Sequence, residues 1–301
     1  MSQEQSNKTK VTLVSVGSAL VLTALKLFVG LLTGSLGMLS EAAHSGLDFV
    51  ASVITFFSVR IAGRPADTDH PYGHGRVENL SAIVQGVLLL GTAGWIIYES
   101  VVRIFFSTVV VETTIWTFAV MAASIVIDLW RSRMLMAAAR QYHSKALEAD
   151  ALNFRADMYS SAVVIVGLIL TYIGQRAGGI AWLEKADALA ALVVALLIVR
   201  MSGRLAGQSL GVLLDRAPEE LVLAMTRAVA SVPGVVHVDP VRLRESGHRL
   251  FADVVVTTDR SASVAEAHDL TRRIEDALRQ VEPRTETLVH VEPADGVAGS
   301  A

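Results

Sequence analysis

The sequence predicts a membrane protein in which an all-α bundle of six spanning helices is followed by a small α+β domain. Three observations support this fold class. Of the 301 residues, 52% are hydrophobic and 18% are charged, which is less charge than a soluble protein normally carries. Six apolar stretches are each long enough to cross a bilayer core of about 30 Å, which takes roughly 20 residues. From about residue 211 onward, the composition changes to that of an ordinary soluble domain.

The spanning stretches predict a transmembrane domain over residues 11–210. The six predicted spans are 11–33, 37–61, 79–101, 114–136, 151–174 and 180–203. Residues 1–10 are polar with two lysines, which predicts a cytoplasmic tail rather than a signal peptide. Positive charges are concentrated in alternate connections: Lys8, Lys10, Arg60, Arg64, Arg76, Arg131, Arg133, Arg140, Lys145, Arg200 and Arg204. By the positive-inside rule, both termini are predicted to be cytoplasmic.

Residues 211–293 predict a cytoplasmic domain with the element order αββαβ. PEELVLAMTRAVASV starts with a proline and has acids in its first turn, as helices often do. VHVDPVRLRES and HRLFADVVVTT alternate apolar and polar residues on either side of an SGH turn. SVAEAHDLTRRIEDALRQV is predicted to be the second helix and TETLVHVE the third strand. The order suggests two helices on one face of a sheet, and residues 294–301 are predicted to be a disordered tail.

The composition excludes several classes of site and partner. The chain has no cysteine, so a bound metal would need His, carboxylate, amide or backbone oxygen ligands. The net charge of −3 gives no indication of a nucleic-acid partner. A membrane enzyme is disfavoured, because the sequence has no nucleophile–base arrangement, and its GHG lacks the flanking strand and helix of a nucleotide site.

Two pairs of polar side chains with identical spacing lie inside predicted spans. His44 and Asp48 are four residues apart in LSEAAHSGLDFVASVI, and Asn153 and Asp157 are four apart in NFRADMYSSAVVIVG. Residues at this spacing share one face of a helix. Ionisable groups within a bilayer are costly and usually mark an ion path or a partner. Two facing pairs would supply the four ligand atoms of a tetrahedral metal site, whereas the alternative is helix–helix hydrogen bonding alone.

Other polar residues in the spans, or directly beside them, have two interpretations each. Asp150 lies on the same face as Asn153 and Asp157, either supporting the ligands or carrying a charge at the cytoplasmic end of the helix. Asp128 either pairs with Arg131 one turn away or lines the path of an ion, and the pairing is favoured. Lys26 is interpreted as snorkelling or paired.

The connection between the second and third spans contains a second candidate metal site. Asp67, His70 and His74 lie within eight residues in PADTDHPYGHGRVENL. Histidine and carboxylate together suit a metal such as zinc. The alternative is a solvated loop whose charges only contribute to the positive-inside bias.

A third group of candidate ligands lies in the predicted cytoplasmic domain. It comprises His237, Asp239, His268, His290 and Glu292. His290 and Glu292 are two residues apart, so they share one face of the last strand. The alternative is that these are ordinary surface side chains.

The chain resembles the cation diffusion facilitators, a family of divalent metal/proton antiporters. The resemblance covers nearly the whole chain and is carried by TGSLGMLSEAAHSGLD, RPADTDHPYGHGRVENL, SKALEADALNFRADMYSS and LLDRAPEEL. It implies a six-helix transporter that forms a homodimer in the lipid bilayer of a prokaryotic inner membrane. It also implies a ferredoxin-like fold for the cytoplasmic domain.

The resemblance also implies roles for particular residues. It implies a transport site of His44, Asp48, Asn153 and Asp157, a loop metal site of Asp67, His70 and His74, a C-terminal metal site of Asp239, His268, His290 and Glu292, and a dimer-stabilising charge pair of Arg76 and Asp215. Val255 occupies another ligand position of the C-terminal site and cannot bind metal through its side chain. That site is therefore incomplete by the family pattern.

The resemblance implies alternating access, in which a divalent cation is exported in exchange for protons. His44 is the predicted proton carrier because imidazole titrates near physiological pH, and Asp48 or Asp157 is predicted to share that role if it is buried. Zinc-transporting members usually have histidine where this chain has Asn153, and an amide oxygen favours manganese or iron(II) relative to zinc. Zinc is the predicted substrate, with manganese, iron(II), cobalt and cadmium as alternatives, and no organic cofactor is expected. A rival hypothesis of another class is a membrane metal sensor or assembly scaffold that binds ions without moving them.

Overall fold

The computed structural model describes residues 3–33, 36–105, 115–176 and 186–294. The chain divides into two compact units. The helical unit is formed by Met1–Pro65 and Val77–Leu210, and the C-terminal unit by Ala66–Arg76 and Gly211–Ala301. The loop of residues 66–76 therefore belongs to the C-terminal unit, although both helices that flank it belong to the helical unit. The predicted tail of residues 294–301 lies outside the described residues from residue 295 onward.

The helical unit contains six long helices within the described ranges, which confirms the predicted fold class. They are α1 (Gln3–Thr33), α2 (Leu36–Ala62), α3 (Val77–Phe105), α4 (Ile115–Tyr142), α5 (Lys145–Arg176) and α6 (Ala186–Leu213). Helix α1 begins at Gln3, so residues 3–10 continue the first helix. Helix α6 runs past the predicted end of its span at residue 203.

Among the residues that the structure describes, four segments are long and apolar enough to cross a membrane by length and hydropathy. They are Gln5–Leu32, Ala42–Ala62, Val77–Val102 and Ala191–Leu213, in α1, α2, α3 and α6. Helices α4 and α5 carry buried charged side chains in their apolar stretches, including Arg131 and Asp150. These charges lower the hydropathy of the two helices without preventing them from packing in the bundle.

The outer and inner surfaces of the helical unit differ in side-chain size. Large apolar side chains such as Phe28, Trp95 and Val126 are exposed, as expected for helices that contact lipid. Small side chains such as Ala93 and Ala149 are fully buried. Small residues at helix contacts let the backbones approach closely, which is the usual basis of helix packing in membranes.

The C-terminal unit has the element order αβββαβ rather than the predicted αββαβ. Its elements are α7 (Glu219–Ala230), β1 (His237–Val238), β2 (Arg242–Ser246), β3 (Arg249–Thr258), α8 (Val264–Val281) and β4 (Thr285–Pro293). The first predicted strand is divided into β1 and β2, because Pro240 between them has no N–H group to donate to a sheet. Strands β1 and β2 both pair antiparallel with β3, and β4 pairs parallel with its other edge.

The core of the C-terminal unit lies between its sheet and its two helices. Alternate residues of β3, from Leu250 to Val256, are buried against side chains of α7 and α8 such as Met225 and Ile274. Helix α8 starts with a capping box, in which the Ser263 hydroxyl accepts a hydrogen bond from the backbone of Glu266 and the Glu266 carboxylate accepts one in return. The backbone N–H of Ser263 lowers the pKa of the Glu266 carboxyl below its ordinary value.

Candidate metal centres

The four predicted ligands on α2 and α5 face one another across the helical unit. His44 Nε2 lies 3.2 Å from Asp157 Oδ1, and the Asn153 amide donates to Asp48 Oδ1 at 3.0 Å. Residue numbers fall along α5 as they rise along α2, so the two helices are antiparallel at this point. The i, i+4 spacing on each helix is what places both members of a pair on the facing surface. We call these four residues the α2–α5 site.

The α2–α5 site has the geometry of a small cation site. Ligand atoms of His44, Asp48 and Asp157 all lie within 4.8 Å of one another. They line a cavity that is also lined by Lys26, whose ammonium group donates to Ser45 at 2.7 Å. One imidazole and two carboxylates in an apolar bundle suit a divalent first-row metal, because such a cation neutralises both carboxylates.

The Asn153 side chain connects the two carboxylates of the site. Its amide nitrogen donates to Asp48 Oδ1 at 3.0 Å and to Asp157 Oδ2 at 3.4 Å. An amide can bind a metal ion only through its oxygen. Metal coordination by Asn153 therefore requires that the amide turn, so that it gives up these two hydrogen bonds and presents Oδ1.

A second polar layer lies one helical turn from the α2–α5 site, and it includes Arg131. Arg131 lies within the predicted span 114–136 and its side chain is buried in the bundle, so counting it among the positive charges of a connection was wrong. Its guanidinium donates to the backbone oxygen of Ser15 at 2.9 Å. Asp150, also fully buried, accepts hydrogen bonds from Ser15 at 3.0 Å and Ser52 at 3.1 Å. Buried charges at this depth are held by mutual neutralisation and by hydroxyl groups on neighbouring helices.

Asp128 makes the ion pair with Arg131 that the sequence analysis favoured, and it also lines a cavity. Its Oδ1 lies 3.5 Å from Arg131 Nη1, which is a long ion pair one turn apart on α4. Asp128 also lines the cavity of the α2–α5 site. The cavity wall therefore carries a carboxylate beyond the four predicted ligands.

The loop residues Asp67, His70 and His74 converge, and we call them the loop site. Asp67 Oδ1 lies 3.1 Å from His70 Nδ1, and Asp67 Oδ2 lies 3.4 Å from His74 Nε2. Ligand atoms of all three residues lie within 4.8 Å of one another. The backbone N–H of His70 donates to Asp67 Oδ1 at 2.7 Å and lowers the pKa of the Asp67 carboxyl below its ordinary value. The carboxylate is thus held in the charged form that a metal requires.

The loop that carries this site packs against the β2–β3 hairpin of its own unit. The Tyr72 ring lies 4.1 Å below the guanidinium of Arg244 and makes an edge contact with Phe251, with centroids 5.2 Å apart. At Gly75 the backbones approach so closely that a Cβ atom would lie 2.5 Å from the carbonyl carbon of Ser246. The loop is therefore anchored to the sheet at Tyr72 and Gly75, whereas the side chains of Asp67 and His70 remain exposed.

The C-terminal candidates are brought into one region of the sheet but not to a single point. His290 Nε2 lies 3.4 Å from Glu292, and Asp239 instead pairs with His237 at 3.4 Å. His290 is aligned with Val255 on β3, and Asp239 bonds to Val255 on the other edge of that strand. Two strand spacings, or roughly 10 Å, therefore separate Asp239 from His290. Within the described ranges, these residues and His268 form no group of three ligands within 4.8 Å.

Arg76 and Asp215 form an ion pair inside the C-terminal unit. Arg76 ends the loop of residues 66–76, and Asp215 follows α6 with a positive φ of 59°. The pair thus connects the loop to the start of the C-terminal segment. Both side chains are partly exposed, so the pair is a weak source of stability.

Sequence reasoning missed the hydroxyl groups that support Arg131 and Asp150. Ser52 follows Asp48 by four residues, and Asp150 precedes Asn153 by three. Extending the ligand-bearing faces of α2 and α5 by one turn would have predicted that Ser52 and Asp150 are in contact. The contribution of Ser15 depends on the packing of α1, for which the sequence contains no local indication.

Comparisons with known proteins bear on both units. Residues 12–214 match the family model described as Cation efflux transmembrane domain. Residues 217–294 match the model described as Cation efflux protein, cytoplasmic domain. The two matches together cover nearly all of the chain.

Several curated proteins are similar over their full length. Manganese efflux system protein MneP of Bacillus subtilis is 29% identical over 294 residues, covering 97% of this chain and 98% of the relative. Cation-efflux pump FieF of Pectobacterium atrosepticum is 29% identical, with 95% and 94% coverage. An uncharacterized transporter of Methanocaldococcus jannaschii is 30% identical, with 95% and 98% coverage. Among solved structures, the MamM CTD in a nickel form is 25% identical and matches 26% of this chain and 100% of that one, with a TM-score of 0.25.

Proposed function

The chain belongs to the cation efflux family of multi-pass membrane transporters for divalent metal cations, and on that premise we propose that it exchanges such a cation for protons. Members of this family are transporters rather than enzymes. The α2–α5 site is the proposed transport site. Export runs from the cytoplasm across the bacterial inner membrane, with both termini in the cytoplasm.

The observation that carries this proposal is the convergence of one imidazole and two carboxylates from two antiparallel helices. His44, Asp48 and Asp157 have ligand atoms within 4.8 Å of one another. Two adjacent carboxylates in an apolar bundle repel each other unless a cation lies between them. A dication balances their charge, which makes divalent metal the class of substrate that this arrangement favours.

Zinc is the substrate we propose, and manganese is the second candidate. Affinity order favours zinc over manganese at a site that includes an imidazole ligand. Two observations favour manganese: Asn153 offers an oxygen instead of a second imidazole, and one relative of similar length is named a manganese efflux system protein. Iron(II), cobalt and cadmium remain alternatives.

Protons are the proposed counter-ions. A histidine must be deprotonated before it can bind a metal, so metal binding at His44 releases a proton. Imidazole changes charge near physiological pH and is therefore suited to carry the proton in the return step. Asp48 and Asp157 share this role if metal release leaves their charges uncompensated.

The proposed assembly is a homodimer. Residues 217–294 match a cytoplasmic domain whose family model is named for dimerisation, ZT_dimer. The Arg76–Asp215 pair is proposed to support the dimer by fixing the loop of residues 66–76 beside the start of the C-terminal segment.

The loop site is proposed to bind a second metal ion. We propose that the C-terminal candidates bind a metal ion only when another chain supplies further ligands to them.

A competition experiment in proteoliposomes tests the proposed function. The purified protein is reconstituted with a pH-sensitive dye inside, and zinc, manganese, iron(II), cobalt and cadmium are offered singly and in pairs. We expect uptake of at least one of these ions together with proton movement in the opposite direction. Metal binding without movement of any of these ions would favour the sensor or scaffold hypothesis, and movement without a pH change would remove protons from the mechanism.

A further inference from the structure

We propose that a buried polar layer beside the α2–α5 site is a gate that closes this site toward the end of the bundle at which α2 ends. The inference rests on the proposed function, because a gate requires an ion that passes through it. The gate layer consists of Ser15, Ser52, Arg131 and Asp150, contributed by four different helices.

The gate layer lies one helical turn from the ligand pairs on both ligand helices. Ser52 follows Asp48 on α2, and Asp150 precedes Asn153 on α5. Ser52 Oγ donates to Asp150 Oδ1 at 3.1 Å, so the layer continues the pairing of the two helices. One turn of α-helix rises about 5.4 Å. An ion that leaves the ligands toward this end of the bundle therefore meets the gate layer first.

Arg131 occupies the centre of the layer and is 1% exposed. Its guanidinium donates to Ser15 O at 2.9 Å and approaches Ser52 Oγ at 3.4 Å. The ring of Phe154 covers it, with the guanidinium carbon 3.5 Å from the ring centroid. The side chain thus connects α4 to α1, α2 and α5 at a single point.

Beyond the gate layer, α2, α4 and α5 close on apolar side chains. Val59, Leu135 and Leu147 belong to one fully buried cluster. Protein interiors packed in this way leave no room for a hydrated ion. The helices that carry this cluster also carry Ser52, Arg131 and Asp150, so passage toward this end requires that the gate layer and the cluster separate in one movement.

The chemistry of the layer suits a gate better than a purely structural contact. Replacing a buried ion pair by apolar side chains of similar volume is often neutral or stabilising, so stability alone does not explain Arg131. The guanidinium and the Asp150 carboxylate bring opposite charges to one layer, so the closed layer offers a metal dication no net negative charge. The bonds of Arg131 to hydroxyl and carbonyl oxygens are hydrogen bonds that a helix movement can break and re-form.

Thiol accessibility tests the gate in the full-length protein. The chain has no cysteine, so a single introduced thiol is the only one to react. Ser161 lines the cavity of the α2–α5 site and follows Asp157 by one turn, on the side of the site opposite to the gate layer. Ser161→Cys is therefore the reporter, and Arg64→Cys, exposed just after α2, marks the face at which α2 ends. Oriented vesicles are treated from each face in turn with a charged, membrane-impermeant methanethiosulfonate.

We expect Arg131→Met to raise the labelling rate of the reporter about tenfold or more from the face where α2 ends. The change removes the donor to Ser15 and Ser52 and leaves the buried Asp128 carboxylate without its ion-pair partner, which shifts the layer toward open states. Labelling from the opposite face is expected to stay unchanged. Arg133→Met is the matched control, because Arg133 lies on the same helix with an exposed side chain. Asp150→Asn is a second variant with the same expected result, so the test does not depend on the folding of Arg131→Met alone.

Unchanged labelling from the face where α2 ends, in a folded variant, would overturn the gate. An equal increase from both faces would also overturn it, because a general loosening of the bundle has no direction. Zinc binding by the solubilised variants is measured in parallel and is expected to persist; its loss would assign Arg131 to holding the ligands instead. Wild-type protein that moves no metal contradicts the proposed function, whereas normal transport with unchanged labelling contradicts the gate alone.

Discussion

We propose that the identity of the transported ion depends most directly on Asn153. In the structure its amide nitrogen donates to one carboxylate from each ligand pair. Turning the amide to bind a metal replaces these two hydrogen bonds by one metal–oxygen bond. The site then offers one nitrogen and three oxygens, a harder ligand set than the one histidine would give at this position.

Asn153→His is expected to shift the preference of the transporter toward zinc. An imidazole nitrogen replaces the amide oxygen, and nitrogen ligands favour zinc over manganese. Paired competition in proteoliposomes should show a zinc-to-manganese uptake ratio about tenfold or more above that of the wild type, since a single ligand change of this kind is worth at least one decade in affinity. An unchanged ratio would remove Asn153 from the selectivity argument.

At the loop site, Asp67 bridges both histidines and is the ligand with the largest expected effect. Asp67→Asn keeps an oxygen that can accept from the His70 backbone but removes the negative charge. Metal affinity of the loop site is expected to fall by roughly 10–100-fold. Calorimetric titration of zinc into a variant whose α2–α5 site is disabled isolates this change, and Asp269→Asn, which alters an exposed carboxylate on α8, is the control.

The pH dependence of the loop follows from the lowered pKa of Asp67. A carboxyl with a folded-state pKa below its unfolded value stabilises the fold above the unfolded pKa and loses that contribution as the pH falls through the folded pKa. We therefore expect the Asp67–His70 turn to persist at neutral and mildly acidic pH. Hydrogen exchange at the His70 amide, followed as the pH is lowered, measures the point at which the turn opens; opening already near neutral pH would contradict the assignment.

At the scale of elements, the loop of residues 66–76 depends on the absence of a side chain at Gly75. A methyl group there would lie 2.5 Å from the backbone of Ser246 in the β2–β3 hairpin. Gly75→Ala is therefore expected to weaken loop docking by about 1–3 kcal/mol, as overpacking does elsewhere. Faster proteolysis of the loop in the intact protein would show that its docking is weaker.

The matched control for this variant is Gly94→Ala on α3, where a Cβ atom would meet nothing within 4 Å. In a helix interior, alanine is favoured over glycine by roughly 0.5–1 kcal/mol. The control should therefore leave loop proteolysis unchanged. Equal protease sensitivity of Gly75→Ala and the wild type would show that the loop does not rely on this close approach.

Helix α8 depends on its capping box. Ser263→Ala removes the hydroxyl that accepts from the Glu266 backbone, and such changes cost about 1 kcal/mol. Hydrogen exchange in the first turn of α8 is expected to accelerate, with exchange in α7 unaffected. The same acceleration in both helices would mean that the substitution destabilises the whole unit rather than the cap.

The sequence predicted those parts of the structure that depend on local spacing. His44 with Asp48, and Asn153 with Asp157, are each fixed on one helical face by their separation along the chain. The contacts of Arg131 with Ser15 connect residues 116 positions apart, and depend on how four helices pack. Arg131 lies inside the predicted span 114–136 but was counted among the connection charges, because the positive-inside rule counts cations without regard to which way the side chain points. The division of the first predicted strand at Pro240 was also a local feature. The sequence analysis missed it because the alternation of apolar and polar residues continues across the proline.

At the scale of the whole molecule, the chain alternates between two units. It leaves the helical unit after Pro65, returns at Val77, and leaves again after Leu210. The candidate sites follow this division: the α2–α5 site lies in the helical unit, whereas the loop site belongs with the C-terminal sheet. We therefore expect a metal ion at the proposed loop site to stabilise the C-terminal unit, although the loop is short and is flanked directly by α2 and α3.

The central claim is that His44, Asp48, Asn153 and Asp157 form the site through which a divalent cation crosses the membrane. Asp157 contacts both His44 and Asn153, so Asp157→Asn tests the site with little change in shape. The most direct measurement is simultaneous metal and proton flux in proteoliposomes containing this variant, the wild type or the exposed-site control Asp269→Asn. We predict that both fluxes fall at least about 100-fold in Asp157→Asn and are unchanged in the control, since a direct ligand contributes no less than its supporting residues do. If a folded Asp157→Asn protein moved metal and protons as fast as the wild type, the claim would be contradicted.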